Sequence, residues 1–227
     1  MTDDSSTRRQ YVSAVIGILV VSGCLGEESN DEPVPTGQAQ GPGTEAIAPA
    51  TQVDSLPTPV QGDPDADVTV SVYEDFACPH CREYTLSVLP KISDEFIEPE
   101  RIRYERYDFP IPVHEQWSWA AANAARSVQN VVGMDAFWRY SHLLYENQQS
   151  YSYELLGNLA EQVAGDPATV RTAAEGDAYH EVLRKDRKRG QERGVTGTPT
   201  VFVNDRHVHQ SYEKLRQAIR DELDSSE

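Results

Sequence analysis

Cys78 and Cys81 stand three residues apart in "YEDFACPHCREY", where a β-rich run gives way to a helical one. Val68 to Tyr73 alternates and is rich in branched side chains, which reads as a strand. Beyond the motif, Leu86, Val88, Leu89 and Ile92 recur at near-helical spacing, so a helix begins near Pro79 and Pro90 kinks or divides it. On a first helical turn, positions i and i+3 share one face, and their Cα atoms fall within disulfide range. So small a ring removes little entropy from the unfolded chain, which makes the pair a poor staple. The same turn offers unpaired N–H groups and partial positive charge, which favour thiolate at Cys78. His80, between the two, adds a donor or a cation. A stabilised thiolate stabilises the reduced form, hence an oxidising disulfide.

The rest of the pattern surrounds this junction. Arg101 to Pro110 reads as a second strand with Ile102, Tyr104, Arg106 and Asp108 on one face, so strand, helix and strand form a right-handed parallel unit. A long helical block follows, over about residues 112–194. It includes the alanine-rich "HEQWSWAAANAARSVQ", then "MDAFWRYSHLLYENQ" and "SYELLGNLAEQVAG", and a stretch opened by Asp166–Pro167 that breaks near Gly176. Trp117, Trp119, Phe137, Trp138 and Tyr145 read as its core. Thr200–Val203 and Arg206–His209 flank Asn204–Asp205, a hairpin turn, and a last helix follows.

The N-terminus sets the compartment. Arg8–Arg9 precede an apolar run, Val12 to Val21, too short to span a bilayer, so residues 1–23 read as an export signal. Arg8–Arg9 with Gln10, Tyr11 and Val12 resembles a twin-arginine signal, and "VSGC" looks like a lipoprotein processing site with Cys24 lipidated. Residues 24–65, rich in Pro, Gly and acid without Lys or Arg, read as a flexible linker to a domain at 66–224. With Cys24 assigned to lipid, one cysteine pair remains where disulfides persist. The expected location is the extracytoplasmic face of the cell membrane. A net charge of −17 argues against nucleic-acid binding, and the acidic, lysine-poor composition resembles that of proteins from salt-loving archaea.

The order β-α-β, helical insertion, β-β-α resembles the thioredoxin fold with an inserted helical domain, the layout of the DsbA family of thiol–disulfide oxidoreductases. "FACPHC", "FWRYSHLLYENQ" and "GVTGTPTVFVN" carry the resemblance. It implies a membrane-tethered dithiol oxidase acting on exported protein thiols and reoxidised by a quinone-linked membrane partner of DsbB or VKOR type. It also implies a monomer with no metal and no cofactor beyond the Cys78–Cys81 disulfide. Cys78 would be the attacked sulfur, Cys81 the resolving one and His80 the tuner, with Pro199 a cis-proline and Thr198 presenting backbone to substrate. One departure stands out. The family's buried acid six residues before the first cysteine is here Val72. Glu74 and Asp75 are the candidate proton relays instead, Asp75 matching an acid found in some DsbA-like relatives; the alternative is that both are solvated loop charges.

Two further readings stay open. One is a reductase or isomerase using the same pair. The other, of a different class, is a metal-binding module built on Cys78, His80 and Cys81, although a zinc site wants a fourth ligand.

Overall fold

The computed structural model describes residues 51–112 and 114–226. The export signal, Cys24 and the linker up to residue 50 lie outside the described residues. Five strands form one sheet in the order β1-β3-β2-β4-β5. They are β1 (Val60–Gly62), β2 (Thr69–Glu74), β3 (Arg103–Asp108), β4 (Thr200–Val203) and β5 (Arg206–Val208). Only β2 and β3 run parallel, with Val72 opposite Arg106 and Glu74 opposite Asp108; β2 pairs antiparallel with β4. Strands β2 to β5, the parallel crossover and the helical insertion are those expected from the sequence; β1 is not.

The crossover begins at α1 (Pro79–Glu83) and continues in uninterrupted helical turns to residue 97. Pro90 lies in the first turn of α2 (Leu89–Ile92), flanked on both sides by wider i→i+5 turns. A proline cannot donate its backbone N–H, so the ladder loosens around it rather than ending. The insertion comprises α3 (Glu115–Val131), α4 (Met134–Glu146), α5 (Tyr153–Glu161), α6 (Pro167–Glu175) and α7 (His180–Glu192), and α8 (Tyr212–Ser226) closes the chain. Asp166 caps α6 through its carboxylate to Thr169 N. Asn204 turns the β4–β5 hairpin at a φ of +51°.

Alternation along the strands sorts the core into two faces. Val70, Val72, Tyr104, Val201 and Val203 pack beneath the crossover and α8 with Ile92, Phe96 and Ile219. Tyr73, Tyr107, Phe109 and Phe202 form the opposite face with Val195. There α7 comes so close that a Cβ on Gly190 would stand 2.7 Å from the Phe109 ring. A third cluster fills the insertion and includes Phe76, Cys78 and Cys81.

The linker expected over residues 24–65 ends earlier than its composition suggests. Val60–Gly62 pair antiparallel with Arg103–Glu105 as an edge strand. Upstream, Val53 N donates to Ala178 O at 2.8 Å, and Gln129 Nε2 donates to Pro57 O at 2.8 Å. These residues lack apolar alternation, because what orders them is pairing to a distant strand and to the insertion.

Candidate functional site

The motif sits at the C-terminal end of β2, where strand, crossover and insertion meet. Cys78 caps α1 in an extended conformation, and Pro79 follows at the first helical position, where no backbone donor is needed. Cys81 is wholly buried and Cys78 is 3% exposed, while Pro79 and His80 face solvent. Both thiols are free. The insertion fastens the turn through its carbonyls: Gln148 Nε2 donates to Phe76 O (2.8 Å) and Cys78 O (2.9 Å), and Tyr151 Oη to Phe76 O (3.2 Å). In return Arg82 Nε donates to Tyr145 O (2.9 Å).

The two thiols are driven in opposite directions. The Cys81 thiol, donating to Cys78, lowers Cys78 to about 5 against its burial; Thr198 and the main-chain N–H groups of Cys81 and His80 act in the same sense. Burial pushes Cys81 far above the usual thiol range, and the donation to Cys78 holds its proton in place. Thr198 faces this pair directly. Its carbonyl oxygen lies 3.4 Å from Cys78 Sγ, and its hydroxyl is buried with no hydrogen-bond partner. The Thr198–Pro199 peptide bond is cis.

Glu74 and Asp75 are each 2% exposed, so neither is a solvated loop charge. Their surroundings differ. Asp75 is absorbed by the backbone: its carboxylate accepts from Ala77 N (2.7 Å) and Ile111 N (2.8 Å), which fixes the loop before the motif and the chain after β3. Burial nevertheless pushes it up to about 6. Glu74 accepts from Thr85 Oγ1 (2.8 Å) and Arg106 Nε (3.2 Å). Burial raises it too, Arg106 and Thr85 opposing, and its charge is felt at Cys81. It lies on the same strand face as Val72 but one pleat nearer the motif, and it lines a cavity of about 170 Å³ with Thr85, Arg106, Ser141 and Tyr145. His80 turns outward, and no group of three or more metal-ligating side chains gathers among the described residues.

The sequence reading missed the ionic chain behind Glu74. Arg106 Nη1 donates to Asp108 Oδ1 (2.6 Å), Arg126 Nε to Asp108 Oδ2 (2.7 Å), and Arg126 also pairs with Asp186. A signal was present: Arg106 and Asp108 share a strand face with the apolar Ile102 and Tyr104, and charges on a core-facing edge are buried only in pairs.

A thioredoxin-type sheet with a helical insertion, a buried pair of oppositely tuned cysteines and a facing cis-proline define a thiol–disulfide oxidoreductase of the DsbA-like class. The thioredoxin family model designated Thioredoxin_4 matches residues 54–221, and the chain belongs to that family. Disulfide bond formation protein D of Bacillus subtilis strain 168 is 29% identical over 173 residues, which span 73% of this chain and 77% of that protein. The crystal structure of oxidised BdbD from Bacillus subtilis superposes with a TM-score of 0.69 at 27% identity, covering 78% of this chain and 98% of that one. DsbA of Chlamydia trachomatis shares the fold, with a TM-score of 0.64 at 21% identity over 80% and 99% of the two chains.

Proposed function

We propose that this oxidoreductase works as a dithiol oxidase, donating the Cys78–Cys81 disulfide to protein thiols outside the cytoplasm. What supports the direction is the opposition of the two thiols, Cys78 lowered to about 5 and Cys81 raised well above the usual range. A thiolate at Cys78 stabilises the reduced pair and so makes the disulfide a stronger oxidant.

A client thiolate attacks Cys78 Sγ. The Cys78–Cys81 bond breaks as the client–Cys78 bond forms, and Cys81 leaves with the electron pair and takes a proton. A second client thiolate then attacks the client sulfur, closes the client's disulfide and expels Cys78 as a thiolate. The client loses two electrons and the enzyme gains them. In this reading Glu74 delivers the proton to Cys81, while Asp75 serves the backbone. Thr198 and Pro199 line the client chain against Cys78, and a membrane quinone-linked oxidant of DsbB or VKOR type takes the two electrons back. A twin-arginine signal exports the enzyme, and lipid on Cys24 holds it at the outer face of the membrane.

Equilibration against glutathione buffers tests the direction. An oxidase pair is already reduced in buffers that leave glutathione largely oxidised. A pair that stays oxidised in strongly reducing glutathione would make the protein a reductase instead.

A further inference from the structure

Helix α7 is a positive island in a strongly acidic chain. Residues 181–193 hold six cations (Arg184, Lys185, Arg187, Lys188, Arg189 and Arg193) against three carboxylates, a net +3; the whole chain carries −17, so the remainder carries −20. One of the three carboxylates, Asp186, is turned inward onto Arg126 and does not offset the outer face. Three of the cations are held by neutral oxygens. Lys185 Nζ donates to Asp54 O (2.6 Å), Arg187 Nε to Pro110 O (3.0 Å) and Arg189 Nη1 to Tyr107 Oη (2.9 Å). Arg184 and Lys188 reach Glu181 and Glu192 only as surface pairs, with side chains 62% and 75% exposed. Together with Glu181 and Gln191, the cations at 184, 185, 187 and 188 enclose a groove of about 430 Å³.

Helix α7 is tied to the segments that frame the reactive sulfur. Arg187 is fixed to Pro110, and the next residue, Ile111, gives its N–H to Asp75 in front of the motif. The last turn of α7 is tied to the following loop by Val195 N to Gly190 O (2.9 Å), and that loop runs on to Thr198, whose carbonyl touches Cys78.

We propose that the basic face of α7 is a docking surface for an acidic polypeptide: the flank of a client chain whose cysteine is engaged at Cys78. The inference rests on the oxidoreductase reading of that site and adds the chemistry of the client. The described residues outside 181–193 carry a net −14 and repel acidic chains, and a positive face on the helix that leads into the Thr198 loop draws them toward the site of exchange. The groove is lined with Arg side chains that can fork onto Asp and Glu carboxylates and Lys side chains that pair with them as point charges.

The full chain, oxidised at Cys78–Cys81, is mixed with two single-cysteine peptides, one flanked by Asp and Glu and the other by Lys and Arg. Each peptide's rate of mixed-disulfide formation is divided by its rate against the uncharged 2-hydroxyethyl disulfide, which removes differences in thiol reactivity. The normalised rate should favour the acidic peptide by about tenfold or more at low salt. The preference should collapse in 1 M salt, where charges are screened beyond roughly 3 Å. Arg184→Glu with Lys188→Glu should abolish it, because loss of two exposed ion pairs leaves the fold intact. Equal normalised rates for the two peptides in the wild type would overturn the proposal, as would a preference unchanged in the double variant. Binding of the chain to anionic vesicles through α7, with no peptide preference, would also overturn it and assign the face to a membrane. Reduction by dithiothreitol should proceed alike in both proteins; its loss would instead count against the oxidoreductase reading.

Discussion

Arg106 Nε donates to Glu74 Oε2 across 3.2 Å between the two parallel strands, both side chains shut away from water. The pair is not isolated. Asp108 and Tyr145 take the other edges of the guanidinium, and Phe76 lies under its plane with the guanidinium carbon 4.0 Å from the ring centre. A buried charge is tolerated only when every donor and acceptor is met. Arg106 is neutralised by Asp108 whether or not Glu74 is ionised. Glu74 is therefore free to change protonation without stranding a buried cation, which Asp75, pinned by two backbone donors, is not.

Glu74→Gln tests that freedom. The amide oxygen still accepts from Thr85 or Arg106, and Asp108 still balances Arg106, so the fold survives. Proton delivery to Cys81 is lost. Reduction of the disulfide by a small dithiol should slow about a hundredfold near neutral pH, the usual scale for general acid–base catalysis. Rapid-mixing fluorescence reads the rate; a folded variant reacting at wild-type speed would remove Glu74 from the mechanism.

For Asp75 the effect falls on stability. Burial raises its pKa from 3.8 to about 6. A carboxyl whose folded value lies above its unfolded one adds stability that is complete below about pH 4 and is lost as pH rises through about 6. At about 1.4 kcal/mol per unit the fall is at most about 3 kcal/mol. Asp75→Asn should abolish this slope. With one oxygen left for two backbone donors, the variant should also lose about 1–3 kcal/mol at pH 5. Urea midpoints from pH 4 to 8 show both effects; parallel curves for the two proteins would contradict the assignment.

The strand–motif–helix junction, the Asn204–Asp205 hairpin and the Asp166–Pro167 helix start were legible because each is dictated by residues adjacent in sequence. Val60–Gly62 was not, because its order comes from Arg103–Glu105, some forty residues on, and its own composition reads as spacer. Gln148 escaped for the same reason. Its role is to hold the carbonyls of Phe76 and Cys78, seventy residues earlier, and nothing in "YENQQS" announces that. The Arg106–Asp108–Arg126–Asp186 chain joins three elements, and only its two strand members were visible as charges on a core face.

The lowered Cys78 pKa makes the stability of the reduced protein depend on pH. A thiol lowered in the folded state contributes stability that is fully present above its unfolded value, roughly 8.5, and is lost as pH falls through about 5. The oxidised protein has no such group. Cys81, raised in the fold, is neutral in both folded and unfolded chains below pH 8 and adds nothing in that window. The stability of the reduced form relative to the oxidised form should therefore grow by about 1.4 kcal/mol per unit between pH 5 and 8. Paired thermal melts measure the gap; a constant difference over that range would mean that Cys78 is not a thiolate in the native state.

His80→Ala separates side chain from backbone. The His80 ring faces solvent, and what reaches Cys78 is the residue's main-chain N–H, together with that of Cys81, the Cys81 thiol and Thr198. All of these survive the substitution. Cys78 should therefore remain well below the ordinary thiol range, rising by less than about one unit, which for a two-electron couple caps the fall in potential near 30 mV. Thiolate absorbance against pH and equilibration with glutathione give the two values independently. A rise of two units or more, with a matching fall near 60 mV, would show that the imidazole rather than the backbone holds the thiolate.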